Sequence, residues 1–238
     1  MPSVHRLLLL ALSVLCTGVF AQEAVIRKNL AERLPNLPPI DEVRPTPMRG
    51  LFEVRVNQTD IFYTDAQGNH IIQGSMFDTR ARVDLTEQRL QQLTAVAFKD
   101  LPLKDAFKVV RGNGRRQMAV FSDPNCGFCK RFEQDLLTID NVTVHVFLYP
   151  ILGADSVAKS VHIWCAKDRE KAYMDWMLNS ITPPTASCDT APLERNVAFG
   201  RKHRINGTPA SFFVDGTRMP GAVGADQIAR KLAEAKQP

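Results

Sequence analysis

The stretch of this chain best equipped for chemistry is Cys126-Gly127-Phe128-Cys129. The two thiols follow an apolar run, Met118-Ala119-Val120-Phe121, and precede a helical pattern from Lys130 to Leu137. In that strand–loop–helix setting a Cys-x-x-Cys pair reads as a redox site. A thiolate at a helix N-terminus meets unpaired N–H groups and the positive end of the macrodipole, and both lower its pKa. Cys126 is therefore the expected nucleophile. Cys129 lies a turn further in, placed to attack a mixed disulfide formed by the first thiol. Half of a zinc site would need two more ligands at short spacing. Cys165 and Cys188 form no such pair, and His70, His145, His162 and His203 are dispersed, so neither a metal nor a cofactor is expected.

The wider composition narrows the class. The 238 residues carry 30 basic and 25 acidic side chains, with no dense basic cluster interleaved with aromatics, which excludes a nucleic-acid-binding reading. Residues 1–21 read as a cleaved signal peptide: a short basic start, an apolar run from Leu7 to Leu15, and Val19-Phe20-Ala21 as the cleavage pattern. Cys16 would leave with it. Export permits disulfides. The remaining cysteines, Cys126, Cys129, Cys165 and Cys188, allow three pairings. Adjacency favours Cys126 with Cys129, which leaves Cys165–Cys188 as a structural staple worth about 3 kcal/mol.

The elements that must position the thiols follow from patterning. Gln22 to Leu34 reads as a short amphipathic helix with Ala24, Leu30 and Leu34 apolar, and the proline-rich 35–47 as extended or turning. Leu51 to Val56, Asp60 to Thr64 and His70 to Gly74 read as antiparallel strands, the last two flanking the turn at Asp65 to Asn69. Residues 22–82 then form a small N-terminal α+β domain that buries little core alone, for which dimerisation is the usual remedy. Asp84-Leu85-Thr86-Glu87 resembles a capping box opening a helix to Lys99, within a linker spanning residues 83–104. Residues 105–238 read as β-α-β, a helical stretch, then β-β-α, with Ser156 capping a helix that carries Val157, Val161, Trp164 and Cys165. Alternating strands and helices with Cys-x-x-Cys at the βα junction imply an α/β thioredoxin-like domain with a helical insertion.

Other residues read more plainly. Asp123 and Glu133 lie close enough to the thiols to relay the proton of the second one, although a capping or surface carboxylate is the simpler reading. Lys130 could raise the local potential, and a solvated lysine is simpler. His145 reads as a packed or edge residue, and Phe52, Phe62, Met76 and Phe77 as core or dimer interface. Taken alone, Thr208-Pro209 before the strand Ala210 to Val214 reads as a trans turn proline, since cis bonds are rare.

The chain also resembles the periplasmic thiol:disulfide isomerases of the DsbC type over nearly its whole mature length. The matching segments are Tyr63-Thr64-Asp65, His70 to Gly74, Cys126 to Cys129, Ile163 to Asp168, Ser187-Cys188-Asp189 and Gly207-Thr208-Pro209-Ala210. The resemblance implies a V-shaped periplasmic homodimer joined through its N-terminal domains, with a cleft for misfolded, disulfide-containing exported proteins. It implies an enzyme whose Cys126 attacks a wrong disulfide, whose Gly127 and Phe128 tune the loop, and whose thiols are kept reduced by a DsbD-like inner-membrane donor. It turns Thr208–Pro209 into a cis-proline facing the thiols, its preceding residue offering backbone groups to a client strand. The family's best-known member has Tyr where this chain has Phe128, a loss of one hydroxyl that implies a small change in redox poise. A dithiol oxidase or sulfenic-acid reductase of the same fold, and a holdase with incidental thiols, are the alternatives.

Overall fold

The computed structural model describes residues 21–235, so the expected signal peptide and Cys16 lie outside the described residues. The chain divides into two compact units, Met1–Leu93 and Thr94–Pro238.

In the first unit a helix over residues 21–33 (α1) packs on a four-stranded antiparallel sheet of order β1-β2-β3-β4. Its strands are Ile40–Pro45 (β1), Leu51–Val56 (β2), Asp60–Asp65 (β3) and Ile71–Ile72 (β4). The helix buries Ile26 and Leu30, one turn apart on one face, among Val43, Phe52, Val54, Val56 and Phe62. Ala24 and Leu34, expected on that face, are exposed. β1 is the ordered part of the proline-rich segment, an edge strand where Pro45 deprives no interior ladder of a donor. β4 is shorter than the expected His70 to Gly74. Asp65 Oδ2 accepts the His70 backbone N–H at 3.1 Å and the Thr64 hydroxyl donates to the His70 carbonyl at 2.7 Å, so His70 belongs to the turn.

A two-stranded ribbon, Phe77–Asp78 (β5) with Val83–Asp84 (β6), leads into Leu85–Thr94 (α2). Asp84 Oδ1 accepts the Glu87 N–H at 3.0 Å, as the capping pattern predicts. The helix stops at Thr94, short of the expected Lys99. Val96 is the reason: its N–H donates to the Gly216 carbonyl at 3.3 Å and its side chain is buried in the second unit's core. The chain then turns through two short 3₁₀ segments, Phe98–Asp100 and Leu103–Asp105.

The second unit runs Phe107–Arg111 (β7), Arg116–Ser122 (β8), Gly127–Leu136 (α3), Val142–Leu148 (β9), Ala154–Cys165 (α4), Arg169–Asn179 (α5), Ala191–Lys202 (α6), Ala210–Phe213 (β10), Arg218–Pro220 (β11) and Ala225–Glu234 (α7). Its sheet has the order β11-β10-β8-β9-β7. β8 and β9 are parallel, joined by the α3 crossover, and the other pairings are antiparallel. The two faces of β8 feed two cores, as a period of two requires. Met118 and Val120 join Cys129, Phe132 and Tyr173 on one face; Ala119 and Phe121 join Phe147, Tyr149 and Phe212 on the other. The fold is the expected α/β layer, with α4 and α5 as its helical insertion.

Ser156 does not cap α4. Gly153, at φ +122°, is the residue before the helix, and Ser156 is fully buried one turn in. Ser156, Ser160, Ile163 and Trp164 make the buried face, while Val157 is exposed.

Candidate active site

β8 ends at Ser122, and Asp123-Pro124-Asn125 carries the chain from the C-terminal end of this central strand to Cys126. That turn is built from polar contacts. Asp123, fully buried, accepts the Asn125 N–H at 2.8 Å on Oδ1 and the Ile151 and Leu152 N–H groups at 2.8 and 3.0 Å on Oδ2. Asp123 is neither a helix cap, since Cys126 is the N-cap of α3, nor a surface carboxylate; it holds loop N–H groups inside the protein. From α5 the Trp176 indole donates to the Pro124 carbonyl at 2.6 Å, and from α4 Asp155 accepts the Asn125 side-chain amide at 2.7 Å. The helical insertion thus grips the loop that presents the first thiol.

Cys126 is the N-cap of α3, its Sγ accepting the Cys129 N–H at 3.4 Å. Its thiol lies 3.2 Å from the Thr208 carbonyl, and the Thr208–Pro209 bond is cis. Both cysteines are reduced. Their surroundings push them apart. Hydrogen bonding from the Cys129 side chain, assisted by the Thr208 side chain and the backbone N–H groups of Cys129 and Phe128, overcomes burial and holds Cys126 down to about 5. Burial, then the hydrogen bond and charge of Cys126, pushes Cys129 far up. At neutral pH the pair therefore holds one thiolate, on Cys126, and one proton, on Cys129. Phe128 between them is 68 % exposed and Gly127 has open space around it.

Glu133 is not a surface carboxylate either. It is 1 % exposed, with Oε2 3.3 Å from the Arg111 guanidinium of β7 and Oε1 accepting from the Tyr173 hydroxyl at 2.9 Å. Burial pushes its pKa up, against the Arg111 charge. Lys130 is not freely solvated: its ammonium sits 4.0 Å from the Trp176 ring centroid, with Lys159 at 4.7 Å. His145 is a packed residue as expected, with Nε2 3.2 Å from Gln117 Oε1. Cys165 and Cys188 form a disulfide with Cα atoms 5.4 Å apart, tying the end of α4 to the loop before α6. Among the described residues no group of His, Cys, Asp and Glu could hold a metal ion.

Sequence reasoning missed Ser122, Arg111, Tyr173 and Trp176 as neighbours of the site. Tyr173 and Trp176 were legible only as apolar positions of a helix. The one signal for Ser122 was a hydroxyl at the C-terminal end of the strand that feeds the motif.

Comparison with known proteins adds the family. Residues 103–236 match the thioredoxin-like domain, and residues 17–87 match the disulfide bond isomerase protein N-terminal domain. The chain is 44 % identical over 211 residues to the probable thiol:disulfide interchange protein DsbC of Bordetella parapertussis, covering 89 % of this chain and 74 % of that one. It is 32 % identical over 208 residues to the thiol:disulfide interchange protein DsbC of Escherichia coli K12, covering 84 % and 83 %. Among solved structures it resembles a disulfide interchange protein from Neisseria gonorrhoeae, with a TM-score of 0.55 and 37 % identity, over 58 % of this chain and all of that one.

Proposed function

The chain belongs to the DsbC-type thiol:disulfide interchange proteins, and from that premise we propose that it is a periplasmic disulfide isomerase and reductase. The observation that carries this reading is the position of Cys126 Sγ, which accepts the Cys129 N–H at the start of α3 and lies beside the Thr208 carbonyl. The thiolate attacks a client disulfide; the Cys126–client bond forms and the client's other sulfur leaves with the electron pair. A second client thiol that displaces Cys126 completes isomerisation and returns the enzyme unchanged. When none arrives, Cys129 attacks Cys126, the client leaves reduced, and the enzyme leaves as the Cys126–Cys129 disulfide. A DsbD-like donor in the inner membrane then restores the dithiol. Thr208 and Pro209 line the position where an extended client segment would lie, with the Thr208 backbone available for a short strand pairing. Gly127 and Phe128 set the loop, and the Cys165–Cys188 bond is structural.

The homodimer forms through the N-terminal unit, for which two features speak. The unit's core is a single small cluster, and it exposes Ile72 and Phe77 at 54 % and 55 %. The paired units would hold misfolded exported clients with chaperone-like effect, after removal of residues 1–21 as a signal peptide.

The test is refolding of a scrambled multi-disulfide substrate by the reduced protein, with Cys126→Ser alongside. Recovery of substrate activity by the native protein and none by the variant is expected. Rapid oxidation of a reduced substrate without unscrambling would instead place the protein among dithiol oxidases, and full recovery with Cys126→Ser would make the thiols incidental to a holdase.

A further inference from the structure

The resolving step sets a problem that the two cysteines alone do not solve. While Cys126 is a thiolate, it is the acceptor beside the Cys129 S–H. Once Cys126 is tied into a mixed disulfide, that negative charge is gone. Cys129 is 1 % exposed and its burial still opposes ionisation. It must nonetheless lose a proton before it can attack.

A path for that proton is built into the core. The Ser122 side chain, at the end of β8, is among the groups that lower the Cys129 pKa against its burial. Ser122 Oγ lies 2.8 Å from the Tyr173 hydroxyl of α5, that hydroxyl lies 2.9 Å from Glu133 Oε1, and Glu133 Oε2 lies 3.3 Å from the Arg111 guanidinium. Ser122, Tyr173 and Glu133 are each within 1 % of complete burial. A buried carboxylate and hydroxyl pair is not a packing convenience, because an apolar core of the same shape would be at least as stable. Three elements, β7, β8 and α5, each send one polar group into this line toward α3. We propose that Ser122, Tyr173 and Glu133 form a proton relay that deprotonates Cys129 for resolution of the mixed disulfide, with Arg111 holding the terminal carboxylate in place.

The balance is simple. With the one Tyr173 proton donated to Glu133 Oε1, the Ser122 hydroxyl turns to donate to Tyr173 Oη; the Cys129 proton then passes to Ser122 Oγ, the Ser122 proton to Tyr173 Oη, and the Tyr173 proton to Glu133 Oε1, which becomes a carboxylic acid. The Cys129 thiolate bonds to Cys126 Sγ, and the Cys126–client bond breaks with its electron pair on the client sulfur. The client is reduced and the enzyme's pair oxidised. The charged and titratable groups facing Glu133 are Arg111 from β7 and Tyr173 from α5. Arg111 keeps the carboxylate available as an acceptor; burial makes it a base stronger than an exposed glutamate. Ser122 is the relay's link to Cys129, and Tyr173 and Glu133 act through it as positioning residues.

The inference rests on the proposed resolving role of Cys129, and the test separates the two. Reduced full-length protein is mixed in stopped flow with a symmetrical peptide disulfide. Attack by Cys126 releases one peptide thiol, and resolution by Cys129 releases the second in a slower phase. Cys129→Ala must abolish the second phase; its persistence there would overturn the resolving role and the relay with it. Glu133→Gln and Tyr173→Phe are the relay tests, since each keeps volume and Tyr173→Phe keeps the ring against Phe107. Expected is a second phase slower by at least about tenfold at neutral pH, on the scale of general-base effects. Its log rate should rise with unit slope in pH, as attack by hydroxide requires. The first phase and the rate of Cys126 alkylation should be unchanged. A Tyr173→Phe protein with a native-like near-ultraviolet CD spectrum and an unaltered second phase would overturn the relay. So would an equal slowing of both phases, which would mark a general distortion of the site.

Discussion

The second unit holds two cysteine pairs that differ in everything except residue type. Cys126 and Cys129 stand at a helix N-terminus, reduced, sharing one proton between a low and a high pKa. Cys165 and Cys188 are bonded across a sequence separation of 23 residues, Cys188 at the surface. Cys165 ends α4, where the dipole is negative. Reactivity here is a property of position. A thiol capping a helix is held as an anion and waits for a disulfide, whereas a thiol at a helix end with a partner in reach becomes a staple.

The largest effect that would break this comparison is on the Cys126 titration. The alkylation rate and the ultraviolet thiolate absorbance of the reduced protein should both show a midpoint near 5, far below a free cysteine. The sign for stability follows. A pKa lowered in the folded state stabilises the reduced form fully above the ordinary thiol range, and that contribution is lost as pH falls through about 5. The reduced form should therefore lose stability relative to the oxidised form on acidification over that window. A midpoint in the ordinary cysteine range would erase the contrast between the two pairs.

Removing the staple should act on stability and leave the chemistry alone. Cys165→Ala with Cys188→Ala opens a loop set by a separation of 23 residues, and chain entropy predicts a loss of about 3 kcal/mol in urea unfolding. The Cys126 titration should not move. A shift would mean that the staple transmits to the loop through α4 and α5, which hold Asn125 and Pro124 by Asp155 and Trp176.

A destabilisation at the opposite face of the sheet provides the control. Gly200 sits in α6 where an added Cβ would come within 2.4 Å of the Tyr149 ring. Tyr149 cannot yield easily, since it is 2 % exposed and its hydroxyl donates to the Ile205 carbonyl at 2.9 Å. Gly200→Ala should therefore cost about 1–3 kcal/mol by overpacking, despite the better helix propensity of alanine. It should leave the thiol titration unchanged, so that a shift seen without the staple cannot be ascribed to lost stability as such.

The same contrast explains how much was legible in the sequence. The α/β order, the strand feeding the motif and the helix after it are written in local periodicity and in the Cys-x-x-Cys spacing, so β8, α3 and β9 fall where expected. Elements ended by distant partners were not legible. α2 stops at Thr94 because Val96 bonds to Gly216, and β4 shrinks because Asp65 draws His70 into the turn. Within the site, Cys126 as N-cap follows from its neighbours in sequence. Tyr173 and Glu133 meet across 40 positions, and a tyrosine on an apolar helix face gives no hint that its hydroxyl ends on a buried carboxylate.

The smallest expected effect concerns the residue nearest the thiols in sequence. Phe128 lies between the two cysteines, yet it is 68 % exposed. Thr208, 80 positions from Phe128 along the chain, accepts from the Cys126 thiol at 3.2 Å on its carbonyl, and its side chain lowers the Cys126 pKa. If contact rather than adjacency sets thiol reactivity, Phe128→Tyr adds a hydroxyl that points into solvent and changes little. The equilibrium with glutathione should then move by no more than about 0.5 kcal/mol, the scale of exposed substitutions. The Cys126 midpoint should stay near 5. A larger shift would mean that the aromatic edge, and not only the α3 N-terminus and the Thr208 group, acts on the sulfur. The difference between the two cysteine pairs would then owe part of its size to the dipeptide between Cys126 and Cys129.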